Sequence, residues 1–349
     1  MSLQLSGLAS RALQAVVPAL LLLCMPPGLA QAAPTRMTVF TADDRTASAE
    51  FIQQLRDTQA PGSRFDLVRL PADGSSVPPP TAVAAASAAT EEEQPANAGV
   101  RTRGMRAGVT PANGAAEALT VAVGPGAARS AIEREGREPL LLAMLSQVEY
   151  ENLKSSPGMR RTDRRVGVLL RDPSMADQLA LVDAALPQRR RLGVVATAES
   201  EPLLRELERA AGKGWSLQVA TAPDAKSIAA ALRGVLANSD ALMVLPDPIG
   251  DDQAATLAVL RAAAGAGVPV FGASEGMVRS GGLAAAVSTP AQLARQAHAM
   301  GQKLTAGPAG VMVEAARPAS VRVNANVARG LGLRLPDERE LAERVTGAR

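Results

Sequence analysis

The chain has 349 residues, of which 47% are apolar, and its mean hydropathy is +0.05. A chain of this length and composition buries a sizeable core in two domains or lobes, which excludes a fibrous or wholly disordered protein. Its 37 basic and 34 acidic residues leave a net charge of only +3, and aromatic residues are 2% of the chain, so no nucleic-acid partner is expected.

The N-terminus has the pattern of a secretory signal peptide. Arg11 precedes an apolar stretch over 12–25, and an A-x-A motif follows at 30–32. The apolar stretch is shorter than the roughly 18 residues needed to cross a bilayer. We therefore expect 1–32 to be cleaved off, leaving a periplasmic protein that is not embedded in the membrane. The mature chain then has no cysteine and needs no disulfide, because Cys24, the only cysteine of the sequence, lies within 1–32.

Short apolar runs in the first half of the chain indicate strands, and helices are predicted at 47–58 and 126–136. The strand candidates lie at 37–40, 65–70, 119–124, 139–145 and 166–170.

Segment 71–118 is rich in Pro, Ala, Ser and Gly. Such a composition buries too little apolar surface to offset the entropy lost on ordering the chain. We interpret it as a flexible low-complexity insertion of unassigned role. An Ala-rich helix around 81–93 is the competing interpretation.

From Leu192 onward, apolar runs alternate regularly with segments long enough for one helix each. The first such helix is predicted to have Ser200 as its N-cap. Continuous apolar runs bounded by Gly, Pro and Asp are typical of strands buried on both faces, so the pattern predicts a doubly wound α/β fold with parallel sheets. The runs lie at 192–197, 215–221, 241–245 and 268–272.

The order changes after Leu283. A helix is predicted to begin at Thr289, with Thr as N-cap, Pro290 in the first position and Gln292 at the third. A strand pair at 311–315 and 320–323 follows, then a short helix and a last helix capped by Asp337, with Glu340 three residues on.

Four blocks of the sequence, at 172–195, 241–248, 276–297 and 323–336, carry a family resemblance that covers 165–345. They resemble the ABC-transporter substrate-binding proteins with the type I periplasmic-binding-protein fold. The resemblance implies two Rossmann-like lobes with parallel sheets, joined by a three-crossing hinge, and a small solute held between them. The crossings are then expected near Asp172, Ser288 and Gly310.

The same resemblance implies the domain organisation and the function. Lobe 1 is expected at 33–172 plus 284–308, lobe 2 at 173–283 plus 309–335, and a C-terminal helix and tail at 336–349. The implied function is capture of a small molecule of unknown identity in the periplasm for an ABC permease. The alternative is a non-transport envelope protein that uses the same scaffold for protein interaction, with a degenerate ligand cleft.

In open parallel sheets, the loops at the carboxyl ends of the strands face a crevice, and the helices that follow direct their N-terminal amides into it. These loops, together with the two crossings nearest to them, supply the candidate ligand-binding residues. Several have a second interpretation, as helix caps or solvated loop residues, and 124–126 as an ordinary strand-to-helix turn. The candidates are Gly124, Pro125, Gly126, Ser146, Glu149, Asp172, Thr197, Asp247, Ser274, Glu275 and Ser288.

The chain departs from the family it resembles mainly in its aromatic residues. It has one Trp, one Tyr and four Phe, and Met277 stands where the closest relatives often carry Tyr. Only Tyr150 lies on a predicted cleft loop. The class of ligand is therefore not transferable.

Residues 272–276 spell the G-x-S-x-G of a hydrolase nucleophile elbow around Ser274. That elbow requires an acid and then a His later in the chain. The sole His is His298, and the only carboxylate between them is Glu275, which is adjacent to the serine. We therefore expect a loop or cap residue and no enzyme. Because 124–129 lacks the third Gly of a dinucleotide fingerprint, no cofactor is expected, and no metal site is predicted.

Overall fold

Strands and helices alternate along the described chain, as the spacing of the apolar runs predicts. The computed structural model describes residues 36–42, 45–71, 118–223 and 227–347. These residues fall within one compact unit, 33–349. The predicted signal peptide, and the predicted insertion apart from its two end residues, lie outside the described residues.

The elements of the described residues follow one another in a βα order. In chain order they are β1 (Arg36–Thr41), α1 (Thr46–Asp57), β2 (Arg64–Arg69), β3 (Ala118–Val123), α2 (Gly124–Glu133), β4 (Leu140–Leu145), α3 (Gln147–Lys154), β5 (Arg165–Pro173), α4 (Met175–Ala185), β6 (Arg191–Ala196), α5 (Glu201–Ala211), β7 (Ser216–Thr221), α6 (Ile228–Leu236), β8 (Ala241–Met243), α7 (Pro248–Asp251), α8 (Gln253–Gly265), β9 (Val270–Gly272), α9 (Glu275–Arg279), β10 (Ala284–Val287), α10 (Pro290–Ala306), β11 (Gly310–Ala316), β12 (Ser320–Val323), α11 (Ala325–Gly330) and α12 (Glu338–Gly347). Single 3-10 turns lie at Pro157–Arg160 and Ala198–Ser200.

The strands form two six-stranded sheets. The first has the order β11-β5-β4-β3-β1-β2 and is parallel throughout. The second has the order β12-β10-β9-β8-β6-β7 and is parallel except for β12, which runs antiparallel to β10. The predicted α/β fold with two Rossmann-like lobes is confirmed. We call the first sheet with α1, α2, α3 and α10 lobe 1, and the second sheet with the remaining helices lobe 2.

Each sheet is buried on both faces, which explains the continuous apolar runs in the sequence. In lobe 1, α1 and α10 cover one face of the sheet, and α2 and α3 cover the other. In lobe 2, α4, α5 and α12 cover one face, and α6 and α8 the other. Strands covered on both sides cannot alternate apolar and polar residues, and β3 and β4 are accordingly buried at nearly every position.

The chain crosses between the sheets three times. It leaves lobe 1 at the end of β5, returns between β10 and α10 at Ser288 and Thr289, and crosses again at 317–319, between β11 and β12. Two hydrogen bonds tie the last two crossings together. The Ser288 hydroxyl donates to the Arg317 carbonyl oxygen over 2.6 Å, and the Ala319 N–H donates to the Val287 carbonyl oxygen over 2.9 Å.

The expected crossing near Gly310, and the lobe boundaries that depend on it, are wrong. Residues 310–316 form a parallel ladder with β5 in the first sheet, so they belong to lobe 1. Residues 284–287 pair with β9 and β12 in the second sheet, so they belong to lobe 2. The predicted pairing of 311–315 with 320–323 is wrong for the same reason. Helix α10 carries the chain back to lobe 1, where β11 adds a strand at the edge of the sheet.

The predicted helix caps had mixed outcomes. The Thr289 hydroxyl accepts from the Gln292 N–H over 3.2 Å, and the Asp337 carboxylate accepts from the Glu340 N–H over 2.8 Å, so both caps are confirmed. Ser200 occupies the predicted N-cap position of α5, but its side chain makes no cap bond to that helix. It turns back instead and accepts from the Thr197 N–H over 2.9 Å.

Candidate functional site: the cleft between the two sheets

Loops at the carboxyl ends of the two sheets meet in the structure, and we call the region between the two sets of loops the cleft. The loops there are 124–126, 146–149 and 171–172 in lobe 1, and 197–200, 244–251, 273–276 and Ser288 in lobe 2. Two contacts between the lobes establish this arrangement, one apolar and one ionic. All eleven residues selected from the sequence lie on these loops, and apart from 124–126 and Ser288 they fall into three separate groups.

The apolar contact joins α3 of lobe 1 to α5 of lobe 2. Val148, in the first turn of α3, is only 6% exposed and packs in the apolar cluster that contains Leu203 and Leu207 of α5. A side chain of one lobe is therefore buried in the core of the other. This contact brings the loop at 146–149 against lobe 2.

The ionic contact is centred on Arg171, at the end of β5. Its terminal nitrogen Nη2 lies 2.7 and 3.0 Å from the two carboxylate oxygens of Asp251, at the end of α7 in lobe 2. On its own side of the cleft, Nη1 lies 3.5 Å from Oε2 of Glu149 and Nε lies 3.3 Å from Oδ2 of Asp172. One guanidinium thus contacts three carboxylates. We call these four side chains the Arg171 cluster.

The lobe 1 side of the Arg171 cluster is largely removed from water, whereas the Asp251 side chain is 55% exposed. The side chains of Arg171 and Asp172 are 16% and 18% exposed. The pKa of Asp172 is raised to about 7, chiefly by burial and in smaller part by the charges of Asp251 and Glu149, while Arg171 opposes the rise. Burial disfavours the charge of Arg171 itself, but the three carboxylates outweigh that effect and hold its pKa above its usual value. Oδ2 of Asp172 is buried and accepts no aligned hydrogen bond.

Asp247 belongs to a second group, whose polar side chains form hydrogen bonds within lobe 2 or within their own loops. It is 1% exposed, and its carboxylate accepts from the Ile249 N–H over 2.9 Å and from the Gly250 N–H over 3.0 Å. The Ser200 hydroxyl donates to the other carboxylate oxygen. Burial raises the pKa of Asp247, while the hydrogen bonds from Ser200 and the two amides oppose the rise. The capping interpretation of Asp247 is therefore the one the geometry supports.

Ser146 and Thr197 also bond within their own loops. The Ser146 hydroxyl accepts from the Glu149 N–H over 3.1 Å, and the Glu149 carboxylate accepts from the Ser146 N–H over 2.7 Å, which is a complete capping box for α3. Thr197 is tied to Ser200 through its N–H and its hydroxyl. These bonds fix the loops and leave Glu149 as the member of this group that also reaches the Arg171 cluster.

Ser274 and Glu275 form a third group on the lobe 2 side. The Ser274 hydroxyl accepts from the Met277 N–H over 3.2 Å, which makes it the N-cap of α9. Beside it lies a groove of about 410 Å³ lined by residues of α7, α8 and α9, including Asp251 and Arg279. Glu275 pairs with Arg279 over 3.1 Å. His298 contacts Gln302 on its own helix, so the structure shows no hydrogen bond between Ser274 and an imidazole.

Gly124, Pro125 and Gly126 begin α2. Gly124 has φ +83°, a left-handed conformation that favours glycine and lets the helix start directly at the end of β3. Gly126 is exposed, and a Cβ there would lie 3.3 Å from Cβ of Ala42 in the neighbouring loop. The strand-to-helix turn thus packs closely against the loop after β1. Ser288, by contrast, lies in a crossing between the lobes and donates a hydrogen bond to the Arg317 carbonyl oxygen in another crossing.

The structure brings together Glu149 and Asp172 but leaves the other predicted residues in separate groups. Arg171 and Asp251, which complete the cluster, were missed by sequence reasoning. A signal for Arg171 was available, because a basic residue follows the apolar run 166–170 directly and precedes Asp172. No local pattern indicates that Asp251 pairs with it, since the two residues are eighty positions apart.

No aromatic side chain lines the cleft. Tyr150, expected on a cleft loop, is 7% exposed and packs in the core of lobe 1, so that expectation is wrong. Phe40, Phe51 and Phe271 are buried in the cores. Phe65 lies near the start of edge strand β2, where Arg56 stacks on it. Trp215 directly precedes edge strand β7, where Arg190 stacks on it. These six are all the aromatic residues of the chain.

Two further findings concern the described residues as a whole. Within them, no group of three His, Cys, Asp or Glu side chains is arranged to hold a metal ion. None of the helices in the described ranges is long and apolar enough to span a bilayer.

Solved structures similar to this chain share its fold. One is the ABC domain from Streptococcus pneumonia in complex with L-Trp, 18% identical, with a TM-score of 0.52 over 87% of this chain and 97% of that one. A second is a ligand-free, open substrate binding protein with adhesive properties from Clostridium difficile, 16% identical, with a TM-score of 0.59 over 87% and 96%. A third is a conserved domain protein from Vibrio cholerae, 18% identical, with a TM-score of 0.53 over 88% and 97%.

Comparison with sequence families gives a more specific result than comparison with structures. A search of curated proteins gave no match. The model of the ABC transporter substrate binding protein family matches residues 157–344, which is more than half of the chain. That range contains lobe 2 except the end of α12, the three crossings, and both Arg171 and Asp251. The chain therefore belongs to the ABC transporter substrate binding protein family.

Proposed function

We propose that this chain is a periplasmic solute-binding protein that captures a small molecule between its two lobes and delivers it to an ABC permease. The observation that carries the proposal is the arrangement of the cleft, where strand-end loops of two parallel sheets face each other and charged side chains of both lobes meet. Family membership supports the same function. The signal-peptide pattern at 1–32 supports export to the periplasm.

The cleft favours a ligand held by charges and hydrogen bonds. None of the six aromatic residues is placed to stack on a ligand, so a bound ring would gain no aromatic contact. The charged groups that are placed there are Arg171, Glu149, Asp172 and Asp251. A small polar solute with a charged group fits this lining, because affinity in such sites depends on a few well-placed polar groups more than on buried area.

A thermal-shift screen tests the proposal. The protein is heated with L-amino acids, small carboxylates and nucleosides, with L-Trp included because the Streptococcus pneumonia structure contains it. A ligand that binds only the folded state at about 100 times its Kd stabilises the protein by about 2.7 kcal/mol, which raises the melting temperature by several degrees. Failure of every compound to shift a protein shown to be folded would contradict the proposal.

Paired variants test whether a compound found in the screen binds in the cleft. Asp251→Asn removes a charge at the cleft, and Asp183→Asn removes one on the exposed side of α4, where Asp183 pairs with Arg190. We expect Asp251→Asn to change the rise in melting temperature that the compound causes, and Asp183→Asn to leave that rise unchanged. Equal effects of the two variants would place the compound elsewhere.

One observation favours a second candidate, a non-transport envelope protein that uses the scaffold to engage another protein. Ser146, Asp247 and Ser274 direct their polar atoms to their own helices, which leaves few side chains free for a ligand. A flat thermal-shift screen, together with a gene that lacks neighbouring permease and ATPase genes, would favour this candidate. Permease and ATPase genes beside it would favour transport.

A further inference from the structure

We propose that Arg171 and Asp251 form an ionic latch that holds the two lobes together in the absence of ligand, and that Asp172 weakens the latch when it loses its proton. The proposal rests on the geometry of the Arg171 cluster and does not depend on what the cleft binds. It assigns a role to the two charged residues of the cleft that the sequence alone does not single out.

The Arg171–Asp251 pair crosses from one lobe to the other. Arg171 ends a strand of lobe 1, and Asp251 ends α7 of lobe 2. Nη2 of Arg171 contacts both carboxylate oxygens of Asp251, and among the described residues no other side chain contacts that carboxylate. Any movement that separates the two lobes at this point must therefore break the pair.

Both halves of the latch are held in place before they meet. Arg171 is fixed on lobe 1 by Glu149 and Asp172 and is mostly buried. The short helix that carries Asp251 is capped by Asp247 and hydrogen-bonded through the Asp251 N–H to the Asp247 carbonyl oxygen over 2.8 Å. A pair between preorganised and partly desolvated groups loses less side-chain entropy and is screened less than a mobile surface pair.

Asp172 competes with Asp251 for the same guanidinium. The charged groups that act on Asp172 are Arg171 on its own strand, Asp251 on α7 and Glu149 on α3. The pKa of Asp172 is raised to about 7, with burial as the largest cause, so its charge changes close to neutrality. Below that pH the neutral acid neither attracts Arg171 nor repels Asp251, and the latch is strongest. Above it, the carboxylate does both, and the latch weakens.

A latch of this kind affects binding through the population of closed molecules. If closed molecules already exist without ligand, a ligand that binds only the closed form has less conformational free energy to supply, and a ligand that must enter an open cleft has fewer open molecules to enter. The pH of the surroundings then sets the balance between these forms without any change in the ligand.

The distance between spin labels on the two lobes tests the latch directly. Cys24 is the only cysteine, so Cys24→Ser gives a cysteine-free background. Labels are placed by Arg129→Cys in α2 and Ala258→Cys in α8, both exposed positions. The distance between the labels in the full chain is measured by pulsed electron paramagnetic resonance without ligand. We expect Asp251→Asn at pH 6 to raise the fraction of long distances by about two-fold or more, as loss of a modest ion pair implies.

Asp252→Asn is the matched control. Asp252 is the next residue, is exposed, and caps α8 through the Ala255 N–H, a bond that Asn also accepts. The same charge is removed beside the latch but not from it, so we expect the wild-type distances. If Asp251→Asn leaves the distances unchanged, or if both variants shift them equally, the latch is refuted.

Asp172→Asn tests the second half of the proposal. We expect wild-type protein to shift towards long distances between pH 6 and pH 8, with a midpoint near 7, whereas Asp172→Asn keeps the short distances at both values. A pH-dependent shift that persists in Asp172→Asn would overturn the role of Asp172. Circular dichroism of each variant confirms that the compared proteins are folded.

Discussion

Asp247 shows how one buried carboxylate organises two loops of lobe 2. It caps α7 through two amides and receives the Ser200 hydroxyl from the loop after β6. We expect Asp247→Ala to lower the free energy of unfolding by about 2 kcal/mol, because the cap is lost and buried donors are left without acceptors. Urea denaturation measures the change.

Asp247→Asn is the control for that variant. Its side-chain oxygen still accepts from the amides of Ile249 and Gly250, and its NH₂ group can donate to Ser200. We expect it to lose less than half as much stability as Asp247→Ala. Equal losses from the two variants would show that the charge of Asp247, and not its hydrogen bonds, stabilises the loops.

Asp172 makes stability depend on pH in the direction opposite to an ordinary paired carboxylate. Its pKa is about 7 in the folded protein and about 4 in an unfolded chain, so the folded state holds the proton more tightly. Unfolding therefore becomes easier as pH rises from about 4 to about 7, and the full penalty applies above 7. We expect the stability of Asp172→Asn relative to wild type to increase by about 3 kcal/mol between pH 5 and pH 8, measured by urea denaturation at both pH values.

Residue types and spacing predicted hydrogen bonds that are local in the chain but not those that are distant. Thr289 and Asp337 cap their helices as expected, since both partners lie within three residues. Ser200 looks equally good as a cap, yet its hydroxyl bonds to Asp247, which is forty-seven positions away. The same limit applies to Arg171, whose partner Asp251 is brought near only by the fold. Most of the candidate loops could thus be found from the sequence, but not the cluster.

At the scale of elements, Gly193 lets helix α6 lie close to strand β6. A Cβ at Gly193 would clash with the side chains of Val235 on α6, Leu242 on β8 and Ser239. We expect Gly193→Ala to reduce the free energy of unfolding by about 2 kcal/mol, because the helix must move away from a packed sheet. The loss appears as a lower denaturation midpoint with an unchanged slope.

Substitution of Gly234, on helix α6, is expected to have the opposite effect on stability. It lies within α6, is exposed, and a Cβ there meets nothing within 4 Å. Because Ala is a better helix former than Gly, we expect Gly234→Ala to stabilise the protein by about 0.5 to 1 kcal/mol. If both substitutions changed stability in the same direction, close packing at Gly193 would not be the cause of its effect.

The elements themselves were predictable because both faces of each sheet are buried. Continuous apolar runs located the described strands other than β10 to within a few residues, and the gaps between them held the helices. The lobe to which β10 and β11 belong was not predictable. A strand's own residues do not reveal which sheet it joins. The lobe of each strand is determined by its pairing, of β10 with β9 and of β11 with β5.

For the whole molecule, three kinds of connection set the position of the lobes. The crossings are covalent and tied together at Ser288 and Arg317, the Arg171–Asp251 pair is ionic, and Val148 is an apolar anchor. Only the last two can be broken without changing the hinge. A free-energy difference of about 1.4 kcal/mol changes an equilibrium constant tenfold. Loss of either contact is therefore expected to change the ratio of open to closed molecules.

Val148 allows the apolar connection to be tested apart from the ionic one. Val148→Ala removes two methyl groups from a lobe 1 side chain that packs in the lobe 2 core, while Val168→Ala removes the same groups from β5, wholly inside lobe 1. Each substitution should cost about 1 to 2 kcal/mol of stability. We expect only Val148→Ala to increase the radius of gyration in solution X-ray scattering, because only there does the lost burial also join the lobes. An equal radius for the two variants would mean that the helix contact follows closure of the lobes and does not maintain it.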